Sequence, residues 1–259
     1  MPNAELWALF CILIVHFAFA IADSLWKVPL QEISAEKGIF IRNIFTTTFL
    51  GITTFVAQKN DNFSWQEVAW AVVASFVSYW GLYFFVKAQK YLPLSLIVRI
   101  LVIGAVFQFV WSVLYYREPF DWRKAVLFGF SFLASLLLTL KPNVEKSVIQ
   151  RKGIIFTLLA AFFWTSSGAF SKEFAHQLGA ARFGFILELT ILCTSGVLLL
   201  LQKNLHKVFI ISSQSFGFLV LIAFFGAIGV YFSHLSLIMV SLSSLLIIRV
   251  IADIIPIAT

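Results

Sequence analysis

Polar residues interrupt this chain rarely, and at regular intervals. Between them run apolar stretches of about 20 residues, the length an α-helix needs to cross a bilayer. On that scale the pattern predicts nine spans: Trp7–Trp26, Gly38–Ala57, Glu67–Val86, Leu94–Tyr116, Trp122–Leu140, Ile154–Ser171, Phe183–Leu201, Ser215–Ile238 and one from Leu242 to Thr259. The connections are short and carry breakers and caps. KNDN (Lys59–Asn62) precedes Ser64, and REPFD (Arg117–Asp121) sets Asp121 as a cap before Trp122. The longest polar linker is KPNVEKSVIQRKG, Lys141–Gly153.

One stretch of this pattern occurs twice. Trp80–Glu118 is an apolar helix, a tight basic turn at Lys87–Pro93, a second apolar helix and a charged exit at Arg117–Glu118. A weaker copy runs from Val230 to Pro256, and aligning Leu92–Val102 on Leu242–Ala252 sets Arg99 opposite Arg249. Leu25–Val28 likewise matches Phe170–Glu173, and Ala57–Asn60 matches Leu201–Asn204. Such repeats at an offset of about 145–150 residues point to duplication. Five spans in the first copy put the start of the second on the opposite side of the membrane, so the repeats are predicted to be inverted. The expected division is residues 1–140 as the first repeat, 141–153 as linker and 154–259 as the second. The counterpart of Trp122–Leu140 would fall beyond Thr259, so the expectation is an all-α membrane protein truncated relative to a ten-helix plan.

Composition strengthens this picture. The chain is 61% hydrophobic and 12% charged, against about 45–50% and about 25% in soluble domains. A water-soluble fold has no interior large enough for that apolar surface, so lipid is the solvent. The 30 phenylalanines and 8 tryptophans suit lipid-facing surfaces and interfacial belts. Trp26, Trp80, Tyr83 and Tyr231, near span ends, read mostly as belt residues. The net charge of +7 comes from basic residues set singly or in pairs between spans, not from a stripe, so no nucleic-acid partner is expected. Cys11 and Cys193 lie within spans and read as small buried hydrophobes. The N-terminus MPNAELWALF lacks a signal peptide's basic region and cleavage site, so the first span is expected to be retained.

The turn KAQKYLPLSLIVRI, the exit YREPFDWRKAVLFG and the opening AAFFWTSSGAFSKEF resemble the EamA branch of the drug/metabolite transporter superfamily. The resemblance implies two inverted five-helix repeats that move a small metabolite or drug-like solute across the inner membrane by alternating access. It also favours Trp164 as a cavity residue and a cytoplasmic N-terminus. The charges lean the other way. One face carries ten basic residues and the other six, which by the positive-inside rule puts the N-terminus outside.

Charged side chains within spans are the remaining candidates, since each costs about 2.5–3.5 kcal/mol at a helix centre. They are Asp23, Arg42, Arg99, Glu188, Arg249 and Asp253. Their depth predicts two mouths of a cavity, with Asp23, Arg42 and Arg99 at one and Glu188 and Arg249 at the other. These groups would act as gates or present arginines to an anionic solute group. Asp253 is the deepest acid and the candidate proton carrier, a proton being the expected coupling ion. A plainer reading also holds: arginines near helix ends snorkel to the interface, and Arg249 and Asp253, four apart, neutralise each other. His16 and His234 read as hydrogen-bonded packing between helices. No HExxH, GxSxG, phosphate-binding glycine loop or Cys/His cluster occurs, so neither an enzyme nor a bound cofactor or metal is expected. The expected partners are a small-molecule substrate and the bilayer, with a homo-oligomer left open. The alternative function is a truncated, non-transporting remnant or a membrane interaction partner.

Overall fold

The computed structural model describes residues 2–57, 64–117, 150–203, 205, 208–239 and six positions between 122 and 133. Among these residues there is no strand. The helices are α1 (Pro2–Leu25), α2 (Pro29–Glu32), α3 (Ala35–Ala57), α4 (Trp65–Ala88), α5 (Leu94–Leu101), α6 (Gly104–Leu114), α7 (Arg151–Leu178), α8 (Ala180–Leu201) and α9 (Ser213–Met239). They supply seven segments long and apolar enough to cross a membrane, α5 and α6 together making one of them. Of the predicted span Trp122–Leu140, only Trp122, Ala125, Val126, Gly129, Phe130 and Leu133 are described, all helical. The span from Leu242, and most of the linker, lie outside the described residues.

Each helix follows from its sequence. Ser64 caps α4 through a reciprocal box, its hydroxyl accepting from Glu67 N while the Glu67 carboxylate accepts from Ser64 N. Replacing Ser64 with alanine removes that exchange and is expected to cost about 1 kcal/mol, read as a lower unfolding temperature in detergent. Between α7 and α8 the break is one residue, Gly179, whose φ of 80° suits glycine because no Cβ meets the carbonyl there. The outward faces carry large exposed apolar side chains, including Phe17, Phe55, Leu114 and Phe130, as lipid contact requires.

The predicted span Leu94–Tyr116 departs from a continuous α-helix. At Val102–Ile103 it tightens to bonds three residues apart, Ile103 N to Ile100 O, Ala105 N to Val102 O and Val106 N to Ile103 O. The cause lies on α7. Thr165 Oγ1 donates to Gly104 O at 3.1 Å, and a Cβ at Gly104 would stand 2.7 Å from that hydroxyl. A side chain set into the backbone ladder is a recognised source of such breaks.

Helix pairing is antiparallel and joins early helices to late ones. Along α4 and α7, Phe84 stacks on Phe163, Tyr91 meets Phe156, and Leu92 lies at Gly153. On α3 and α8, Phe40 lies at Gly196, while Leu50 and Gly51 lie at Gly184 and Phe185. α1 packs against α9, with Phe19 seated on Gly229. One face of the bundle therefore gathers the 26–34 turn, the α4–α5 turn, the start of α7 and the connection from α8 to α9. The described basic residues Lys27, Lys37, Lys87, Lys90, Arg151, Lys152 and Lys203 all fall at this face.

Two expectations change. Trp26 is buried, not interfacial, because Gly38 opens a slot for its ring: a Cβ there would stand 3.0 Å from Trp26 Cζ3. Cys193 is exposed on the outer face of α8, while Cys11 is buried.

Candidate functional site

The centre of the bundle is polar where α3 and α8 cross. Arg42 stands eight residues into α3 and Glu188 nine into α8. At 1.5 Å per residue each lies about 11–12 Å from the N-terminal end of its helix, and those two ends are at opposite faces of the bundle. The antiparallel crossing brings the two within reach, and their long side chains close the gap. Arg42 Nη1 donates to Glu188 Oε2 at 2.7 Å, with both side chains almost fully buried. Asn43 completes the arrangement: its Oδ1 accepts from Arg42 Nη1 at 2.9 Å, and its Nδ2 donates to Glu188 Oε2 at 2.5 Å and Glu188 O at 3.2 Å. A buried carboxylate so held is paired and hydrogen-bonded on the same oxygen, which is what its burial demands.

A third helix completes the surroundings. α9 offers Gly226, where a Cβ would stand 2.5 Å from Arg42 Nη2, so glycine leaves room for the guanidinium. Thr46, one turn along from Arg42, donates to Arg42 O and reaches Ala223 O of α9. Three helices thus meet at one guanidinium. Asp23, on α1, is half-buried and makes no hydrogen bond or ion pair with Arg42 among the described residues.

The structure therefore joins Arg42 and Glu188 in one ion pair, where their depths had predicted separate mouths. Arg99 lies in the last turn of α5, half-buried, and forms no ion pair or hydrogen bond among the described residues. Trp164 is half-buried, packed at a 40° tilt against Phe85 with ring centroids 4.8 Å apart and seated on Gly81 of α4. Arg249 and Asp253 lie outside the described residues. His234 is buried and meets Phe183 edge-on at 4.7 Å, a packing contact.

Sequence reading passed over Asn43, for which the adjacent pair Arg42–Asn43 in an apolar span was the available signal, while a glycine at 226 reads only as a site of close helix approach. It also passed over a second cluster. Tyr83 Oη donates to Glu36 Oε1 at 3.0 Å, Lys87 Nζ lies 3.4 Å from the same oxygen, and that ammonium sits 4.5 Å from the Tyr83 ring centre. Tyr79 stacks on Tyr83 and is itself fully buried. Lys90, in the turn after α4, donates to Ile33 O at 3.0 Å, and burial holds its ammonium below the usual lysine range. Glu36 was missed because it falls just before the predicted span from Gly38. No group of histidines, cysteines and acids able to hold a metal occurs among the described residues.

Among the described residues, seven helices of membrane length around a buried, charge-bearing crossing define a multi-pass membrane protein. The profile of the EamA-like transporter family matches residues 6–140, just over half of the chain. The chain belongs to the EamA-like transporter family, part of the drug/metabolite transporter superfamily, whose members are transporters and not enzymes. No curated protein matches it. A solved structure described as "Crystal structure of protein" is similar at 14% identity and a TM-score of 0.65, covering 99% of this chain and 87% of that one. At that identity the likeness shows the fold alone.

Proposed function

We propose that this protein moves a small metabolite or drug-like solute across the cell's inner membrane by alternating access, with Arg42 and Glu188 as the central gate. The observation that carries the reading is the buried ion pair itself. A charge pair sealed among three helices adds little net stability over apolar residues of the same shape, whereas a pair that opens and closes between halves has a role in transport. On this reading the halves are residues 1–140 and 154–259, joined by the 141–153 linker, and α3 and α8 are the helices on the axis between them.

The packing supports inverted repeats. Trp164 of α7 seats on Gly81 of α4, and Phe19 of α1 seats on Gly229 of α9. Phe19 and Trp164, like Gly81 and Gly229, are separated by about 145–150 residues, the offset at which the two halves match. The same contact is thus made twice with the halves exchanged. Helix pairing follows suit, since α4 with α7 and α1 with α9 are the pairs such an exchange interconverts. With the seven described spans, Trp122–Leu140 and the span from Leu242 make the nine that the apolar pattern predicts.

Within this scheme Asp23 competes with Glu188 for Arg42, giving the guanidinium a second resting place as the halves rock. Trp164 lines the path between α4 and α7. Arg99, and by its sequence correspondence Arg249, present cations to an anionic solute group, with Asp253 as proton carrier. Protonation of Glu188 would also release Arg42, so a proton is the coupling ion proposed here.

The test is reconstitution of the purified chain into liposomes and a panel of labelled amino acids, organic anions and cations, with and without an imposed proton gradient. Gradient-driven accumulation of one class, lost in Arg42→Gln, supports the reading. Absence of accumulation for every class would favour a non-transporting membrane partner. Neutralising Arg99 is expected to raise the KM for an anionic solute several-fold and leave a cationic one unaffected.

A further inference from the structure

We propose that residues 29–37, comprising α2 and the first turn of α3, form a latch that closes one face of the bundle and detaches from Ile210–Ser212 when that face opens. The inference rests on the alternating-access reading above. Its evidence is the unequal way the segment is held on its two sides.

Toward α4 the segment is anchored by groups removed from water. Glu36 is buried and takes both the Tyr83 hydroxyl at 3.0 Å and the Lys87 ammonium at 3.4 Å. Lys90 adds its bond to Ile33 O at 3.0 Å. Breaking this side would leave a buried carboxylate without partners, the arrangement that costs most.

Toward the connection between α8 and α9 the bonds are of another kind. Glu32 Oε1 accepts from Ser212 Oγ at 2.8 Å, Glu32 Oε2 accepts from Ser212 N at 3.3 Å, and Lys37 Nζ donates to Ile210 O at 2.8 Å. All three are exposed, so water takes over each partner as the bond breaks, and the net loss is small. The segment's buried polar anchors therefore run to α4, while the other half holds it by exposed hydrogen bonds and by the packing of α2 against α9. Any separation of the halves at this face parts along Glu32–Ser212 and Lys37–Ile210.

The backbone suits the movement. Ile33 is extended, with φ −127° and ψ 162°, between α2 and α3, and Ser34 starts α3 afresh by accepting from Lys37 N at 3.3 Å. The connection to α1 is a turn over residues 26–28. α2 is thus a short unit with a non-helical joint on each side, and Glu36 and Lys37 move with the start of α3.

The test uses a background with Cys11→Ala and Cys193→Ser, and a reporter cysteine at Ser78. This serine is buried on α4 about 13 Å below Lys87. A second reporter at Ser112, buried near the opposite end of the bundle, serves as control. The probe is a membrane-impermeant maleimide applied to the face of the latch in inverted or right-side-out vesicles. Glu32→Gln with Lys37→Met is expected to speed labelling at Ser78→Cys by about five-fold or more and leave Ser112→Cys unchanged. An unchanged rate at 78, or an equal rise at 112, would overturn the latch. A short thiol cross-linker between Glu32→Cys and Ser212→Cys is expected to stop solute counterflow until it is cleaved. Counterflow that persists through complete cross-linking sinks the latch and leaves the transporter reading standing. Faster labelling at 78 with no solute transported does the reverse.

Discussion

Replacing Glu188 with alanine is expected to destabilise this protein by about 3–5 kcal/mol, the usual result of removing one partner of a buried ion pair. Arg42 would keep its charge, its burial and its place against Gly226, and would lose the carboxylate 2.7 Å away. Asn43 would lose its bond to Glu188 Oε2 but keep the one to Glu188 O. Lower yield from the membrane and an earlier unfolding transition in detergent are the readouts. The companion variant separates stability from transport. Arg42→Met with Glu188→Met replaces both charges by flexible apolar chains of similar length, and such replacements are often neutral or stabilising. This double variant is expected to recover most of the lost stability and none of the transport. A double variant that transports normally would show the ion pair to be structural filler, and the proposed gate would have to be sought elsewhere.

Gly81→Ala and Gly229→Ala are expected to be the next most damaging changes, about 1–3 kcal/mol each. At 81 the added methyl overlaps the Trp164 indole, meeting Cγ at 2.8 Å and Nε1 at 2.9 Å. At 229 it meets the Phe19 ring at 2.7 to 2.9 Å. Each ring is pinned between helices, so relief requires the helix pair to separate. Trimming the opposing ring tests the cause. Trp164→Leu is expected to rescue Gly81→Ala and not Gly229→Ala, and Phe19→Leu the reverse. Thermal unfolding of the four single and four double variants decides it, and rescue without regard to pairing would mean that the glycines act through backbone flexibility instead. Matched rescue in both halves would also strengthen the case for duplicated packing.

The spans were legible because membrane insertion is decided by a short window of sequence, whose apolar length is set against bilayer thickness. The seven described spans therefore stand where the apolar runs predict them. What was not legible is what depends on a neighbour. The tightened turn at Val102–Ile103 has no breaker of its own beyond Gly104, and it follows from the Thr165 hydroxyl on another helix. Trp26 looks like an interfacial ring until Gly38 is found beside it. Glu36 looks like a loop carboxylate until α4 brings Tyr83 and Lys87 to it.

The charged residues show the same division. Their cost in lipid marked Asp23, Arg42 and Glu188 as candidates from sequence alone, because desolvation is a property of one residue and its span. Their pairing is a property of two helices. Counted along the chain, Arg42 and Glu188 each lie in the first part of their spans, and because those spans start at opposite faces the two belong to opposite mouths. Only the antiparallel crossing of α3 over α8, with glycine at 226 and asparagine at 43, turns those two depths into one contact. Sequence determined the solvent, the family resemblance and which side chains are too costly to be idle. Tertiary structure decided which of them meet, since close packing joins residues about 145 positions apart that no local pattern connects.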